Sequence, residues 1–387
     1  MVSCVTCTLK VATMKIVIDD KIPTLKGVLD PFANVLYKEG IAISKEDLVD
    51  ADALIVRTRT LCNKDLLEGT SVRMVATATI GTDHMDLAWL EQNGILWCNA
   101  PGCNSGSVKQ YIASVLAHLI LDGIIPSDTT LGIVGVGMVG SKIESLARAL
   151  GFKVLLNDPP RARREGADKF CSLDYLLANS DIVTFHTPLI REGKDATFHL
   201  MNEAKLPLLK KGAIVANSSR GEVCDTQAML KGLDNGQISS LVLDVWENEP
   251  HINASLHNKV WFGTPHIAGY SVDGKSNGST MTIHAIAKEF GLPLLDWQPS
   301  SLPVPDNPFI HLHEDGEPAF LTAAKAILKT YDIIEDDKRL RENPDNFEKQ
   351  RGSYPVRREF NIWEVVPAHG TRPETIEMLI ALGFRVK

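Results

Sequence analysis

Three ionisable side chains stand in order in the second half of the chain, each beside turn-forming residues. Arg220 lies in Asn-Ser-Ser-Arg-Gly, Glu249 in Asp-Val-Trp-Glu-Asn-Glu-Pro, and His266 in Thr-Pro-His-Ile-Ala-Gly. A guanidinium can bind a carboxylate through two parallel hydrogen bonds, and an imidazole titrates near neutral pH. The three side chains therefore have the chemistry to hold an anionic 2-hydroxy acid and to remove its hydroxyl proton.

We assign one expected role to each of these catalytic candidates. Arg220 binds the substrate carboxylate, His266 exchanges the proton, and Glu249 fixes the tautomer of the imidazole and stabilises its charged form. Each also has a structural alternative: Arg220 can cap a turn, Glu249 can be a surface acid, and His266 can be a packed loop residue. His186 competes as the base, but we expect it to line the cofactor cleft. The joint pattern favours chemistry, because all three candidates follow predicted strands.

A glycine-rich string upstream predicts a dinucleotide site. Gly135, Gly137 and Gly140 form the pattern GxGxxG between a predicted strand, Leu131–Val136, and an amphipathic helix. The first glycine allows a tight turn, the second lets the backbone approach a pyrophosphate, and the third lets helix and strand pack closely. The pyrophosphate then meets the amides at the helix N-terminus.

Asp158 ends the next predicted strand, where a carboxylate can accept both ribose hydroxyls. This favours NAD over NADP, although Arg161, Arg163 and Arg164 follow closely and weaken the inference. The alternative is a glycine-tight turn with Asp158 as a helix cap. Further cofactor contacts are expected at the glycine loop and at later strand ends, namely Met138, Val139, Thr187, Ser218, Ser219, Arg220, Asp244 and Gly269.

The elements that must position these residues are short apolar strands alternating with helical patterns, which is typical of parallel βαβ units. We predict an α/β fold: two Rossmann-like, doubly wound parallel-sheet domains and a small C-terminal α/β domain. Residues 14–106 and 270–297 form the substrate-binding domain, 107–269 the NAD-binding domain and 298–387 the C-terminal domain. The predicted strands are Lys15–Asp20, Ala53–Val56, Val72–Thr79, Ile95–Cys98, Leu131–Val136, Lys153–Leu156, Ile182–Phe185, Ala213–Ala216, Leu241–Val245, Val260–Phe262, one near Ile310, Ile362–Val366 and Phe384–Val386. The predicted helices are Ser107–Asp122, Met281–Phe290, Pro318–Thr330 and Glu374–Leu382.

Two charged stretches of the C-terminal part are expected to be solvated. These are the segment Glu335–Arg341 and the cluster of Arg351, Arg357 and Arg358. The alternative for the arginine cluster is that it reaches the cleft of a neighbouring subunit.

Composition excludes several classes of function. The 387 residues carry a net charge of −8, which argues against non-specific nucleic-acid binding. No apolar run is long enough to cross a membrane, and the seven scattered cysteines indicate a reduced, cytoplasmic chain. We expect no metal site, and the isolated cysteines Cys4 and Cys7 are not expected to bind a metal. Residues 1–13 are expected to be a frayed extension or a misassigned start, without a signal peptide.

The four motifs around Gly135, Arg220, Glu249 and His266 resemble those of the D-isomer-specific 2-hydroxyacid dehydrogenases over roughly residues 14–295. The resemblance implies an NAD-dependent oxidoreductase with Arg220 as substrate binder, Glu249 as partner of the histidine and His266 as proton donor and acceptor.

A narrower resemblance, to a branch that oxidises a phosphorylated four-carbon acid, rests on Thr77–His84, Ala100–Asn104, Leu156–Pro160, His266–Tyr270 with Gly274 and Lys275, and the tail. It implies a homodimer formed through the C-terminal domain, a place in pyridoxal 5′-phosphate biosynthesis, and substrate contacts from Thr58, Thr79 and Tyr270.

Arg57 and Arg59 flank Thr58 and are expected to face the substrate phosphate, unless they are solvated surface residues. One departure from the family pattern is Gln110, where members usually carry glutamate. We interpret it as local repacking, with some bearing on the electrostatics of the cofactor side.

Two other functions stay open. One is a dehydrogenase for another acid, such as 3-phosphoglycerate or glycerate, against which the tail and Tyr270 argue. The other is a nucleotide-sensing protein without turnover, against which the complete set of Arg220, Glu249 and His266 argues. The tail itself can serve regulation instead of dimerisation.

Overall fold

The computed structural model describes residues 14–313 and 316–387, which fall into two compact units. The first unit runs up to Asn104 and includes Asp273–Leu302, and the second combines Ser105–Val272 with Pro303–Lys387. The C-terminal residues thus cluster with the predicted cofactor domain, and the domain boundaries expected from the sequence stay predictions. The expectations for residues 1–13, including Cys4 and Cys7, lie outside the described residues.

The strands form three sheets in which all neighbours are parallel. They are β1 (Lys15–Asp19), β2 (Asn34–Lys38), β3 (Ala53–Val56), β4 (Met74–Thr77), β5 (Leu96–Cys98), β6 (Thr130–Val134), β7 (Lys153–Asn157), β8 (Ile182–Phe185), β9 (Ala213–Asn217), β10 (Ile238–Leu243), β11 (Phe262–Gly263), β12 (Phe309–His311), β13 (Glu364–Val366) and β14 (Arg385–Val386).

The helices cover the faces of these sheets. They are α1 (Lys45–Leu48), α2 (Lys64–Leu67), α3 (Leu87–Gln92), α4 (Ser105–Leu121), α5 (Met138–Leu150), α6 (Pro159–Glu165), α7 (Leu173–Asn179), α8 (Thr226–Asp234), α9 (Ala254–His257), α10 (Val272–Phe290), α11 (Ala319–Thr330), α12 (Ile333–Glu342), α13 (Phe347–Gly352) and α14 (Pro373–Leu382).

The sheet of the first unit has the strand order β2-β1-β3-β4-β5. Its central strands are buried on both faces, because alternate side chains feed two separate apolar clusters. The edge strand β2 was missed by the sequence prediction: its residues are only partly buried, so they lack the continuous apolar run of the inner strands.

The six-stranded sheet of the second unit has the order β11-β10-β9-β8-β6-β7. The chain places β7 on one side of β6 and then crosses to place β8 on the other side. This reversal is a topological switch point, and ligands of such sheets bind beyond the carboxyl ends of the strands there. The predicted doubly wound parallel fold is confirmed.

The C-terminal segment, Pro303–Lys387, carries the sheet β12-β13-β14 and packs onto the helices of the dinucleotide half. Helix α11 lies against α4, and α14 lies against both α11 and α5. One apolar cluster contains residues from all four helices, including Leu116, Leu146, Ile327 and Leu379. The segment therefore shares a hydrophobic core with the cofactor sheet.

The expectation that the charged stretches are solvated holds for Glu335, Lys338 and Arg341, which are exposed, but it is wrong for the following charged residues. Asp336 and Asp337 lie on α12 and are buried, as are Arg357 and Arg358. Asp336 accepts hydrogen bonds from the hydroxyls of Tyr331 and Tyr354, which compensate the carboxylate for lost water.

Helix α10 begins at Val272, nine residues before the predicted Met281. The missed turns are rich in small polar residues that are nevertheless buried, so the apolar periodicity is absent there. At Gly278 a Cβ atom would lie 2.4 Å from the carbonyl oxygen of Ala78, which explains why a small residue is required.

Within the described part of the chain, no helix is both long and apolar enough to span a bilayer. The five cysteines that lie there, Cys62, Cys98, Cys103, Cys171 and Cys224, are all free thiols.

Candidate active site

His266 lies on the loop between β11 and α10 and adopts a left-handed backbone conformation with φ of 55°. Its N–H donates to the carbonyl of Asp244, at 2.7 Å. The buried carboxylate of Asp244 accepts the N–H groups of Ile267 and Ala268 at 2.7 and 2.9 Å, and the hydroxyl of Thr264 at 2.7 Å. Burial raises the pKa of Asp244, although the imidazole and these donors oppose the rise. Asp244 thus fixes the loop that carries the histidine.

Glu249 and His266 form a hydrogen-bonded pair. Oε2 of Glu249 lies 2.8 Å from Nδ1 of His266, and Oε1 accepts the N–H of Trp246 at 2.8 Å. Burial raises the pKa of Glu249, but the charge and hydrogen bond of His266 and the Trp246 amide outweigh it and leave that pKa below its usual value. Ionised Glu249 makes Nδ1 the donor, and Nε2 has no hydrogen-bond partner among the described residues. Nε2 is the atom available to a substrate.

Arg220 follows β9 and is half-buried. Its carbonyl accepts Nδ2 of Asn217 at 2.8 Å, and its Nη1 donates to the carbonyl of Ser219 at 2.8 Å. The next residue, Gly221, touches the loop that carries Glu249: a Cβ atom there would lie 2.0 Å from the carbonyl oxygen of Trp246. The structure therefore brings together all three motifs singled out from the sequence.

The glycine loop follows β6 at the switch point. Gly135 has φ of 85°, and a Cβ atom on it would lie 2.7 Å from the carbonyl oxygen of His186. A Cβ on Gly140 would lie 2.0 Å from the carbonyl oxygen of Gly135. At Gly137, the N-cap of α5, a Cβ would meet no atom within 4 Å. The chain leaves space at Gly137, beside a helix N-terminus that suits a pyrophosphate.

Asp158 joins this loop to the next helix. Its Oδ2 accepts the N–H of Val136 at 2.8 Å, and its Oδ1 accepts the N–H of Arg161 at 2.9 Å. Asp158 is therefore the N-cap of α6, as the alternative interpretation held, and it also lies beside the glycine loop. The guanidinium of Arg161 is engaged by Glu165, with Nε 3.0 Å from both carboxylate oxygens.

The strand ends beside the glycine loop offer further polar groups. The hydroxyl of Thr187 is buried without a hydrogen-bond partner among the described residues. Because buried polar groups normally have a partner, this hydroxyl is available to a bound ligand. His186 is held by Thr184, with Nε2 2.9 Å from Oγ1, and Ser218 lies 3.5 Å from its Nδ1. Burial lowers the pKa of His186 to about 3, so this histidine is neutral at pH 7. Its two ring nitrogens are held by Thr184 and Ser218.

In the first unit, the guanidinium of Arg57 is held by the fully buried carboxylate of Asp19, with Nε 2.9 Å from Oδ2 and Nη2 3.3 Å from Oδ1. Thr58 is exposed, and the hydroxyl of Thr79 lies 2.8 Å from that of Thr77. Substrate contacts from Arg57, Thr58 and Thr79 stay predictions.

The sequence analysis missed the contribution of the C-terminal segment to the His266 loop. Asp337 accepts the N–H of Gly263, which precedes His266 in the chain, at 2.7 Å. Arg357 donates to the carbonyl of Ala268, after it, and its own carbonyl accepts the N–H of Val272 at 2.8 Å. A usable signal was present, because Arg357 and Arg358 stand among Tyr354, Val356 and Phe360, with a single acidic neighbour, Glu359.

Gln110, the departure from the family pattern, is fully buried on α4. Its Nε2 donates to the hydroxyl of Thr330 at 3.1 Å and to the carbonyl of Arg358 at 2.8 Å. Both partners belong to the C-terminal segment, so Gln110 joins α4 to that segment.

Comparison with known proteins agrees with this geometry. The family model of the NAD-binding domain of D-isomer-specific 2-hydroxyacid dehydrogenases matches residues 118–268, and a domain family of unknown function matches residues 301–383. Erythronate-4-phosphate dehydrogenase of Bacteroides thetaiotaomicron is 46% identical over 91% of this chain and 99% of its own length. The enzyme of that name from Porphyromonas gingivalis is 40% identical over 96% of this chain and all of its own length.

Among solved structures, D-lactate dehydrogenase from Aquifex aeolicus in complex with NAD and lactic acid is similar, with a TM-score of 0.57 and 24% identity. The match covers 72% of this chain and 96% of that one, and it supports the fold.

Proposed function

The chain belongs to the D-isomer-specific 2-hydroxyacid dehydrogenase family, and on that basis we propose that it oxidises 4-phospho-D-erythronate to (R)-3-hydroxy-2-oxo-4-phosphobutanoate. It is an NAD-dependent oxidoreductase. The substrate assignment is supported by relatives named erythronate-4-phosphate dehydrogenase that align over nearly the whole chain. We also propose that the product serves pyridoxal 5′-phosphate synthesis.

The observation that carries the mechanism is the hydrogen bond between Glu249 and Nδ1 of His266. It presents Nε2 as a base, and the negative charge of Glu249 stabilises the imidazolium that forms when the C2 hydroxyl proton arrives. Arg220 binds the carboxylate of the acid and so orients C2. The glycine loop would hold NAD⁺, which when bound would supply the hydride acceptor. The proton of the C2 hydroxyl goes to His266 as the C2 hydride leaves, which balances the two-electron oxidation.

The fit of NAD to the second unit is supported by three features. These are the open space at Gly137, the buried unpartnered hydroxyl of Thr187, and the carboxylate of Asp158 beside the loop. The proposed further contacts lie at the start of α5 (Met138 and Val139), after β9 (Ser218 and Ser219), after β10 (Asp244) and on the His266 loop (Gly269).

Replacement of His266 tests the proposal. His266→Asn is expected to lower kcat by about 10²- to 10⁴-fold, the usual worth of a positioned acid–base group, while leaving NADH affinity within a fewfold of the parent. The assay is NADH absorbance with a panel of 4-phospho-D-erythronate, 3-phosphoglycerate and glycerate, using NAD⁺ and NADP⁺.

Each outcome has a definite meaning. A higher kcat/KM for 3-phosphoglycerate or glycerate than for 4-phospho-D-erythronate would refute the substrate assignment. Binding of NADH without turnover of any acid would indicate a nucleotide sensor, and full turnover by His266→Asn would refute the mechanism.

A further inference from the structure

Arg351 lies on α13 of the C-terminal segment and reaches the loop of the proposed base. Its guanidinium carbon is 5.6 Å from the ring centre of Tyr270, four residues after His266. Its side chain is only 16% exposed. This arginine was expected to be solvated, but it lies against the loop that carries His266.

The guanidinium of Arg351 is incompletely satisfied. Nη1 donates to Glu348 at 2.9 Å, but the buried Nε–H has no hydrogen-bond partner in the part of the chain that the structure describes. A buried donor on a charged group loses its water without replacement, which is unfavourable unless an acceptor arrives from outside the chain. The orphaned donor therefore indicates a ligand.

In the described part of the chain, no hydrogen bond joins the Nε–H of Arg351 to Glu249, the carboxylate of the catalytic pair. Both oxygens of Glu249 are already engaged, one by His266 and the other by the amide of Trp246. The remaining neighbours of the guanidinium are aromatic rings, with that of Phe347 6.0 Å away. A planar guanidinium with a spare N–H next to aromatic rings is suited to phosphate or carboxylate oxygens.

The substrate proposed above has two anionic groups. Arg220 is assigned to the carboxylate beside C2, which leaves the phosphate at the other end. The pyrophosphate of NAD is assigned to Gly137 at the start of α5, so it does not need Arg351. A phosphate bound at C4 is the acceptor that remains.

The helix that carries Arg351 is firmly anchored. Phe347 is fully buried in an apolar cluster with Leu340. The side-chain amide of Gln350 donates to the carbonyls of Arg339 and Asn343, each at 2.9 Å. A fixed guanidinium selects its ligand better than a mobile one, because less side-chain entropy is lost on binding.

We propose that Arg351 binds the substrate phosphate, so that the C-terminal segment sets the preference for a phosphorylated acid. This inference rests on the proposed function and assigns the specificity of that same site. It makes the segment a part of the substrate site of its own chain.

The test compares Arg351→Met with Lys349→Met. Methionine keeps an apolar stem against Tyr270 and Phe347, and Lys349 is an exposed residue of the same helix, so its replacement removes the same charge. The measurements are kcat/KM for 4-phospho-D-erythronate and for D-erythronate, and inhibition of D-erythronate oxidation by inorganic phosphate.

For Arg351→Met we expect kcat/KM for the phosphorylated acid to fall about 10- to 100-fold, mainly through KM, as for loss of a charge-assisted hydrogen bond. The value for D-erythronate stays within about threefold, since that acid lacks the phosphate. Inhibition by inorganic phosphate weakens in parallel. Lys349→Met behaves as the parent in all three assays.

Failure of the inference and failure of the proposed function are distinguishable. If the parent enzyme does not prefer the phosphorylated acid, the proposed function is wrong. If the parent prefers it and Arg351→Met keeps that preference, Arg351 does not bind the phosphate. An equal loss for both acids would show that Arg351 acts through Glu249. NADH affinity shows whether each variant is folded. If Arg351→Met is unfolded, the same assays are made on Arg351→Lys, which keeps the charge but cannot form two parallel hydrogen bonds to the phosphate.

Discussion

His266 holds a backbone conformation that costs a non-glycine residue on the order of 1–3 kcal/mol. The conformation is maintained because the N–H groups of His266, Ile267 and Ala268 all donate to Asp244. The same turn aims the imidazole at Glu249. The position of the proposed base therefore depends on buried Asp244, which does not itself take part in the proton transfer.

The glycine loop gives a residue-scale prediction. Gly137→Ala is expected to fold with a melting temperature near that of the parent, because a Cβ there meets no atom of the chain. It should weaken NADH binding about tenfold or more, since the methyl group enters the space assigned to the pyrophosphate. Thermal denaturation and NADH fluorescence titration measure the two effects.

Gly135→Ala is the matched control. Its positive φ and the carbonyl oxygen at 2.7 Å mean that this variant should lose stability as well as affinity. An unchanged NADH affinity in Gly137→Ala would contradict the placement of the pyrophosphate.

Among the elements, helices α4 and α14 are joined by a partly buried lysine. Nζ of Lys109 on α4 donates to the carbonyl of Leu382, the last residue of α14, at 2.7 Å. Burial, reinforced by the charge of Lys142 and opposed by that of Glu359, lowers the pKa of Lys109 to about 8. A cation near the last carbonyls of a helix is favourable, but its burial makes the charged form costly.

This contact gives a pH-dependent prediction at the element scale. The folded chain releases the Lys109 proton near pH 8, whereas the unfolded chain retains it to about 10.5. Stability attributable to this group therefore rises with pH between those values. The free energy of unfolding of the parent minus that of Lys109→Met should increase from pH 7.5 to pH 10, as measured by urea denaturation at each pH. A difference that is flat or falls over this range would show that the lysine is not buried as described.

At the scale of the whole molecule, the C-terminal segment shares its core with the cofactor sheet and clamps the His266 loop through Asp337 and Arg357. The segment also exposes large apolar side chains, including Phe309, Val356 and Ile380. Contiguous exposed apolar surface marks an interface, and we propose that these side chains belong to such a surface, through which the chain forms a homodimer.

Dimerisation is best tested by a surface substitution. Truncation before Pro303 would uncover the apolar faces of α4 and α5 and is expected to yield an insoluble chain. Ile380→Glu, at a side chain 56% exposed, should instead shift the full-length chain toward monomer in sedimentation experiments. Ile125→Glu is the control, because Ile125 is 49% exposed but lies outside the segment. Identical sedimentation of both variants and the parent would argue against an interface at this position.

The sequence by itself determined the parallel α/β fold, the glycine loop and the three motifs of Arg220, Glu249 and His266. These features depend on local patterns: apolar runs, turn residues and the chemistry of single side chains. Even the wrong start of α10 has a local cause, because its first turns bury small polar residues.

Only the tertiary structure decided which charges are buried. Gly263 and Asp337 are 74 residues apart in sequence, and Ala268 and Arg357 are 89 apart, so no local pattern could pair them. A charged side chain is buried only when partners from elsewhere in the chain replace its water. For that reason the sequence left Arg351 and Arg357 in solvent, and the fold brought both to the loop of His266.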